Sequence, residues 1–216
     1  MVCINNGDVG RPKKQESRRG EMVAAAGRAI MSRGITGLRV KDVAAAAELS
    51  AGLVSYYYPS IDDLLIEVHQ DALDRFYWAR YRAVQDLTDP AARLRETVRR
   101  GIPDAADDVV CRVLYELHLH ASRSSVHAAL MSALFDREVS LYTTAMDIGR
   151  ASGVFAPSGP PLEIARNAVA LEDAYGLHIV GGNRAITPIL ARNNVLGYLS
   201  TALDCEFVAF AATEKG

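Results

Sequence analysis

Apolar residues recur at helical spacing along nearly the whole chain, and no stretch alternates with the two-residue period of a strand. The expected class is therefore all-α, with nine helices. Met22, Val23, Ala26, Ala29 and Ile30 form the inner stripe of a first helix from about Ser17 to Arg33, which Gly34 closes. Val40, Val43, Ala44 and Ala47 mark a short second helix; Leu49 and Ser50 break it, and a third runs from Ala51 to about Tyr57 with Ser50 as its N-cap. Ser60 opens a fourth helix that continues past Trp78 to about Gln85. Five more are expected: Pro90 to Gly101, Ala105 to Ser122, Val126 to Ala151, Leu162 to Val180, and Pro188 to about Ala211. The clearest linker is Ala156 to Pro161.

Two short helices joined by a tight break, with small residues Ala51 and Gly52 at the tip of the second, suit insertion into a DNA major groove. Charge follows the same division. The net charge is −2, but residues 1–60 carry 9 Lys and Arg against 5 Asp and Glu, and the remainder 15 against 21. A basic end is thus joined to an acidic body, as expected of a protein that meets DNA with one end.

The segment from Arg39 to Leu65 resembles the TetR family of transcriptional regulators, and its BetI-like branch in particular. The likeness is carried by Leu49, Ser50, Gly52, Val54, Ser55, Tyr57, Tyr58, Ser60, Ile61, Asp62, Leu64 and Leu65; it extends more loosely to Tyr115–Arg123, Gly153–Phe155 and Leu171–Ile179. It implies a TetR-like fold, with an N-terminal helix-turn-helix domain at 17–65 and a larger ligand-binding and dimerisation domain at 66–216, preceded by a disordered basic arm at 1–16. It further implies a cytoplasmic homodimer that represses transcription from a palindromic double-stranded DNA operator until an unknown small-molecule effector releases it. The alternative is a helical small-molecule-binding or interaction protein whose operator binding is weak or lost. Ile61 motivates that alternative, since it stands where the family usually has a phosphate-holding Lys, and Ser55 stands where it often has Tyr.

Candidate phosphate contacts are Arg39, Lys41, Ser55, Tyr57 and, on the arm, Arg11 and Lys13; candidate base readers are Ala51, Gly52, Leu53 and Tyr56. The Gly10-Arg11-Pro12-Lys13 run is either a minor-groove arm or a basic tail without groove preference. Tyr58 matches the family's buried Phe.

Aromatic, His and Met residues crowd the body, and an effector cavity lined by Trp78, Tyr81, Tyr115, His118, Phe135, Tyr142 and Tyr175 is expected. Ala168, Leu171, Tyr175 and Ile179 with Val195, Leu199 and Leu203 are the expected dimer interface, and Ala168 and Gly176 would permit close helix approach. Glu172 and Asp173 diverge on a helix; one of them could cap, pair with an Arg across the dimer, or meet a cationic ligand.

Other chemistry finds little support in the sequence. Cys3, Cys111 and Cys205 show no paired spacing. His118 and His120 point about 200° apart on a helix, so no metal site and no cofactor are expected. No acid, base or nucleophile constellation appears, nor any apolar run long enough to span a membrane.

Overall fold

In the computed structural model, residues 10–211 are described, with side chains from residue 15 onward. Among them are α1 (Gly10–Arg33), α2 (Val40–Ala47), α3 (Ala51–Tyr57), α4 (Ile61–Val84), α5 (Pro90–Gly101), α6 (Val109–Ala121), α7 (Ser125–Ala151), α8 (Pro161–Val180) and α9 (Pro188–Leu203), and no strand. The chain divides into two units at Asp71 and Ala72, so α4 starts in the first and ends in the second.

The first unit is held by small and branched side chains. Met22, Ala25, Ala26, Ala29 and Ile30 of α1 are buried, as are Val43 and Ala44 of α2, Val54 of α3 and Leu64 of α4. The break between α2 and α3 has a definite geometry. Glu48 takes a left-handed φ of 56°, the Leu49 amide returns 2.9 Å to the Ala44 carbonyl, and the Ser50 hydroxyl accepts from the Leu53 amide at 3.2 Å. Tyr58, just past α3, donates to Glu67 of α4, and Arg19 of α1 reaches the same carboxylate at 2.7 Å while its guanidinium lies 4.8 Å from the Tyr58 ring centre. Three helices of this unit are thus tied through Glu67. Burial and the adjoining Glu67 carboxylate push the Tyr58 hydroxyl's pKa up, so it remains a donor.

In the second unit α7 and α8 pack against each other, with α5 and α9 completing one core around Tyr142, Met146, Ala165, Val195 and Leu199. The Ala156–Pro161 linker is pinned to the end of α9, its Ala156 and Ser158 amides each 2.9 Å from the Leu203 and Ala202 carbonyls.

Three helix ends differ from the sequence expectation. First, α1 begins at Gly10 rather than Ser17, so the Gly10–Lys14 backbone is helical and not an extended segment; Pro12 sits in the first turn, where its missing N–H costs nothing. The side chains of Arg11 and Lys13, like residues 1–9, lie outside the described residues. Second, α6 starts at Val109, where Asp108 caps it by accepting from the Cys111 amide at 3.0 Å. Third, α9 stops at Leu203 because Asp204 turns left-handed, and the chain beyond folds back. Asn193 accepts from the Phe210 amide at 2.8 Å and donates to its carbonyl at 3.2 Å, which buries the Phe210 ring.

Candidate nucleic-acid interface and internal cavity

The α2–α3 pair sorts its side chains into a buried and an exposed set. Val54 and Tyr58 face inward and anchor α3, whereas Ala51, Gly52 and Ser55 are exposed and Tyr56 is 76% exposed. Leu53 and Tyr57 are half-buried, with the Tyr57 ring edge-on to Tyr56 at 5.5 Å. Arg39 and Lys41 are exposed at the start of α2, where Asp42 accepts from the Arg39 amide at 3.0 Å. Ile61 is half-buried. A Ser-capped helix tip without bulky groups, flanked by two cations and a hydroxyl, can approach a duplex closely.

In the second unit, a cavity of about 50 Å³ lies among α4, α6, α7 and α8. Its wall is formed by Phe76, Cys111, Leu114, Tyr115, His118, Met131, Leu134, Phe135, Glu138 and Asp173. Of the expected lining, the structure brings Tyr115, His118 and Phe135 together. Trp78, Tyr81, Tyr142 and Tyr175 are corrections, since none of them lines it. Trp78 and Tyr81 are 43% and 38% exposed, because α4 turns its Phe76 and Arg80 face inward and this pair outward. Tyr142 is wholly buried and committed to a hydrogen bond with Glu172, and the Tyr175 hydroxyl accepts from Asn194 of α9 at 3.0 Å.

Beneath the cavity is a charged network that the sequence reading did not single out. Arg80 of α4 is fully buried. One guanidinium terminus donates to Glu138 of α7; the other donates to the Thr97 carbonyl of α5 at 3.0 Å and to both Glu172 oxygens of α8 at 2.9 and 3.1 Å. The Tyr142 hydroxyl adds 2.6 Å to Glu172, while the Arg80 Nε has no hydrogen-bond partner among the described residues. Burial raises the pKa of Glu172 to about 7 and that of Glu138 to about 8, against the opposing pull of Arg80. Burial opposes the charge on Arg80 as well, but Glu172 and Glu138 outweigh it and keep the guanidinium protonated. Asp173 is raised by burial, with His118 pulling the other way. Carboxyls on α7 and α8 therefore outnumber the cation between them. The only sequence sign of this arrangement was the Glu172-Asp173 pair, whose partner Arg80 lies 92 residues away within the same chain.

Glycine at two positions makes the packing possible. A Cβ on Gly101 would stand 2.1 Å from the Glu172 carboxylate, and one on Gly176 would stand 1.9 Å from the Tyr115 hydroxyl. Gly176 therefore admits α6 of its own chain, not a partner subunit. The expected dimer residues lie as follows within the chain. Ala168, Ile179, Val195, Leu199 and Leu203 are buried in this chain's own core, and Leu171 and Tyr175 pack half-buried against it. The 20-residue α8 buries one face on α7 and α9, and its outward apolar residue Leu177 is 55% exposed.

The helix-turn-helix and its helical body define the class of protein, and comparisons narrow it. Residues 22–68 match the family described as "Bacterial regulatory proteins, tetR family". The BetI regulator of Burkholderia ambifaria is 31% identical over 122 residues, 56% of this chain and 61% of its own length. The HbdR regulator of Aromatoleum is 30% identical over 87 residues, 40% of this chain and 38% of that protein. The chain thus spans less than two thirds of these relatives. A putative regulator from Saccharomonospora viridis, solved in complex with choline, superposes with a TM-score of 0.80 at 20% identity, covering 87% of this chain and 98% of that one. A putative TetR-family regulator from Rhodococcus gives 0.75 at 25% identity, covering 86% and 98%. Residues 22–68 thus carry the helix-turn-helix of the tetR regulators, and the chain is similar to BetI regulators over its aligned part.

Proposed function

We propose that this protein is a cytoplasmic, dimeric transcriptional repressor that binds a palindromic DNA operator and leaves it when a small organic cation occupies the α6–α7–α8 cavity. The observation that carries the DNA reading is the Ser50-capped tip of α3, with Ala51, Gly52 and Tyr56 turned outward over a buried Val54. Two such tips must be spaced about 34 Å apart to read successive half-sites, which requires a dimer. The outer face of α8 and α9, with Leu177 and Leu190 exposed, is the surface proposed for it. Among the described residues no helix is long and apolar enough to cross a membrane, in keeping with the cytoplasmic assignment.

The cavity lining supports a cationic effector. Phe76, Tyr115 and Phe135 line the cavity with aromatic rings, and Glu138 and Asp173 supply carboxyls that the Arg80 charge does not balance. The choline bound by the Saccharomonospora viridis protein, which shares the fold, belongs to this ligand class. A cavity of about 50 Å³ is far below the several hundred Å³ of ordinary ligand sites, so an effector must open it. Phe76 and Cys111 also line a neighbouring cavity of about 170 Å³, and displacement of the Phe76 ring would join the two. Because α4 is continuous from Val84 back to Ile61, a shift of its later turns is transmitted to the reader unit through the helix itself.

Selection from a random duplex pool tests the DNA reading: a palindrome should be enriched, and no enrichment at low salt would sink it. Lys41→Ala should then weaken binding to all duplexes and reduce the salt slope by about one. Calorimetric titration with choline tests the ligand class, and absence of binding would reject it.

A further inference from the structure

Glu138 belongs to two sites at once: its side chain lines the cavity and also takes one terminus of the Arg80 guanidinium. The other terminus is shared between Thr97 of α5 and Glu172 of α8, neither of which lines the cavity. The two ends of Arg80 are therefore divided by helix, with α7 on one side and α5 and α8 on the other. Glu138 is the partner shown for its end of the guanidinium, and the Arg80 Nε lacks a partner among the described residues. Phe76 has the same double position, lining the cavity one helical turn before Arg80 with its ring centre 5.4 Å from the guanidinium carbon.

We infer that Glu138 is a ligand held in common by Arg80 and the effector, so that a cation seated against Phe76, Tyr115 and Phe135 takes the Glu138 carboxylate and releases α4 from α7. The inference rests on the cation reading above. It makes effector binding and loss of the Arg80–Glu138 pair a single exchange, in which one cation replaces another at the same carboxylate. Asp173 also faces the cavity but is not bonded to Arg80, so it can attract the effector without transmitting its arrival. The exchange leaves one end of a buried guanidinium unpaired, a costly arrangement that movement of α4 relieves. Selectivity follows too: a neutral molecule of the same size could fill the space but could not compete for the carboxylate.

The chain's single tryptophan, Trp78, lies two residues before Arg80 on α4 and reports on it. Choline titrated into the full-length protein should bind by calorimetry and shift Trp78 emission. Glu138→Gln should weaken choline at least tenfold and, without choline, already show emission displaced toward the bound value. Arg80→Met removes the competitor, so choline should bind at least fivefold more tightly with no emission change; this arm keeps the test decisive if Glu138→Gln does not fold. Glu172→Gln, altered outside the cavity, should leave choline affinity within threefold. Choline affinity within twofold of wild type in Glu138→Gln, or no tightening in Arg80→Met, overturns the exchange while the cation reading stands. No choline binding by the wild-type protein rejects both.

Discussion

The reader unit and the cavity unit are stabilised in different ways. In the first, the α2–α3 break is closed by contacts short in sequence, since Ser50 caps Leu53 and Glu48 closes α2 on Ala44 and Ala45, and the Arg19–Glu67 pair is the longer tie, 48 positions apart. In the second, the contacts join residues 17, 58 and 92 positions apart through one buried guanidinium. Local closure fixes the outward α3 surface through neighbours in its own segment. A buried charge balance couples distant helices instead, since adding or removing one charge there alters the packing of several of them.

The sharpest way to break this contrast is Glu172→Ala, which takes a partner from Arg80 and the acceptor from Tyr142. It should cost the second unit about 3–5 kcal/mol in urea denaturation, as for one half of a buried ion pair; a loss below about 1 kcal/mol would show that the network is not a major support. Next comes Gly101→Ala, whose added methyl would collide with the Glu172 carboxylate. About 1–3 kcal/mol is expected, read as a lowered Tm.

A smaller effect is the pH dependence of stability. The Glu172 and Glu138 carboxyls titrate near 7 and 8 in the folded chain and at an ordinary, lower value when unfolded, so the fold holds their protons more tightly. Their contribution is complete below the unfolded pKa and is lost as pH rises through about 7 to 8. The difference in denaturation midpoint between wild type and Glu172→Gln should therefore change between pH 5 and pH 9, with wild type losing more on the alkaline side. A constant difference would contradict the assignment. The smallest effect belongs to the reader unit, where Ser50→Ala should cost about 1 kcal/mol through loss of the α3 cap and should leave choline binding untouched.

Legibility from sequence followed the same contrast. The α2–α3 break, the Ser50 cap, the inward Val54 and Tyr58, and the outward Tyr56 all agree with the pattern, because caps and helical periodicity depend on neighbours within four or five residues. The cavity was only half readable. Tyr115, His118 and Phe135 meet in it as expected, yet Trp78 and Tyr81 lie on the outer side of the same α4 stripe. An aromatic residue reads as interior on composition alone, and nothing local tells which side of a helix the core will take when both carry rings. Ala168, Val195 and Leu199 similarly showed that they would be buried, but not that the burying surface was their own chain.

By itself, then, the sequence determined the helical class, the reader motif and the separation of basic and acidic ends, all of which rest on local periodicity, capping and charge. Only the tertiary structure decided that Arg80, Glu138 and Glu172 meet, that Gly101 and Gly176 are the places of close approach, and that the Phe207–Phe210 tail returns to α9. Those outcomes depend on which distant surfaces pack together. An Arg on an amphipathic helix is ordinarily solvated, and only the packing of α4, α5, α7 and α8 makes Arg80 the centre of a buried network.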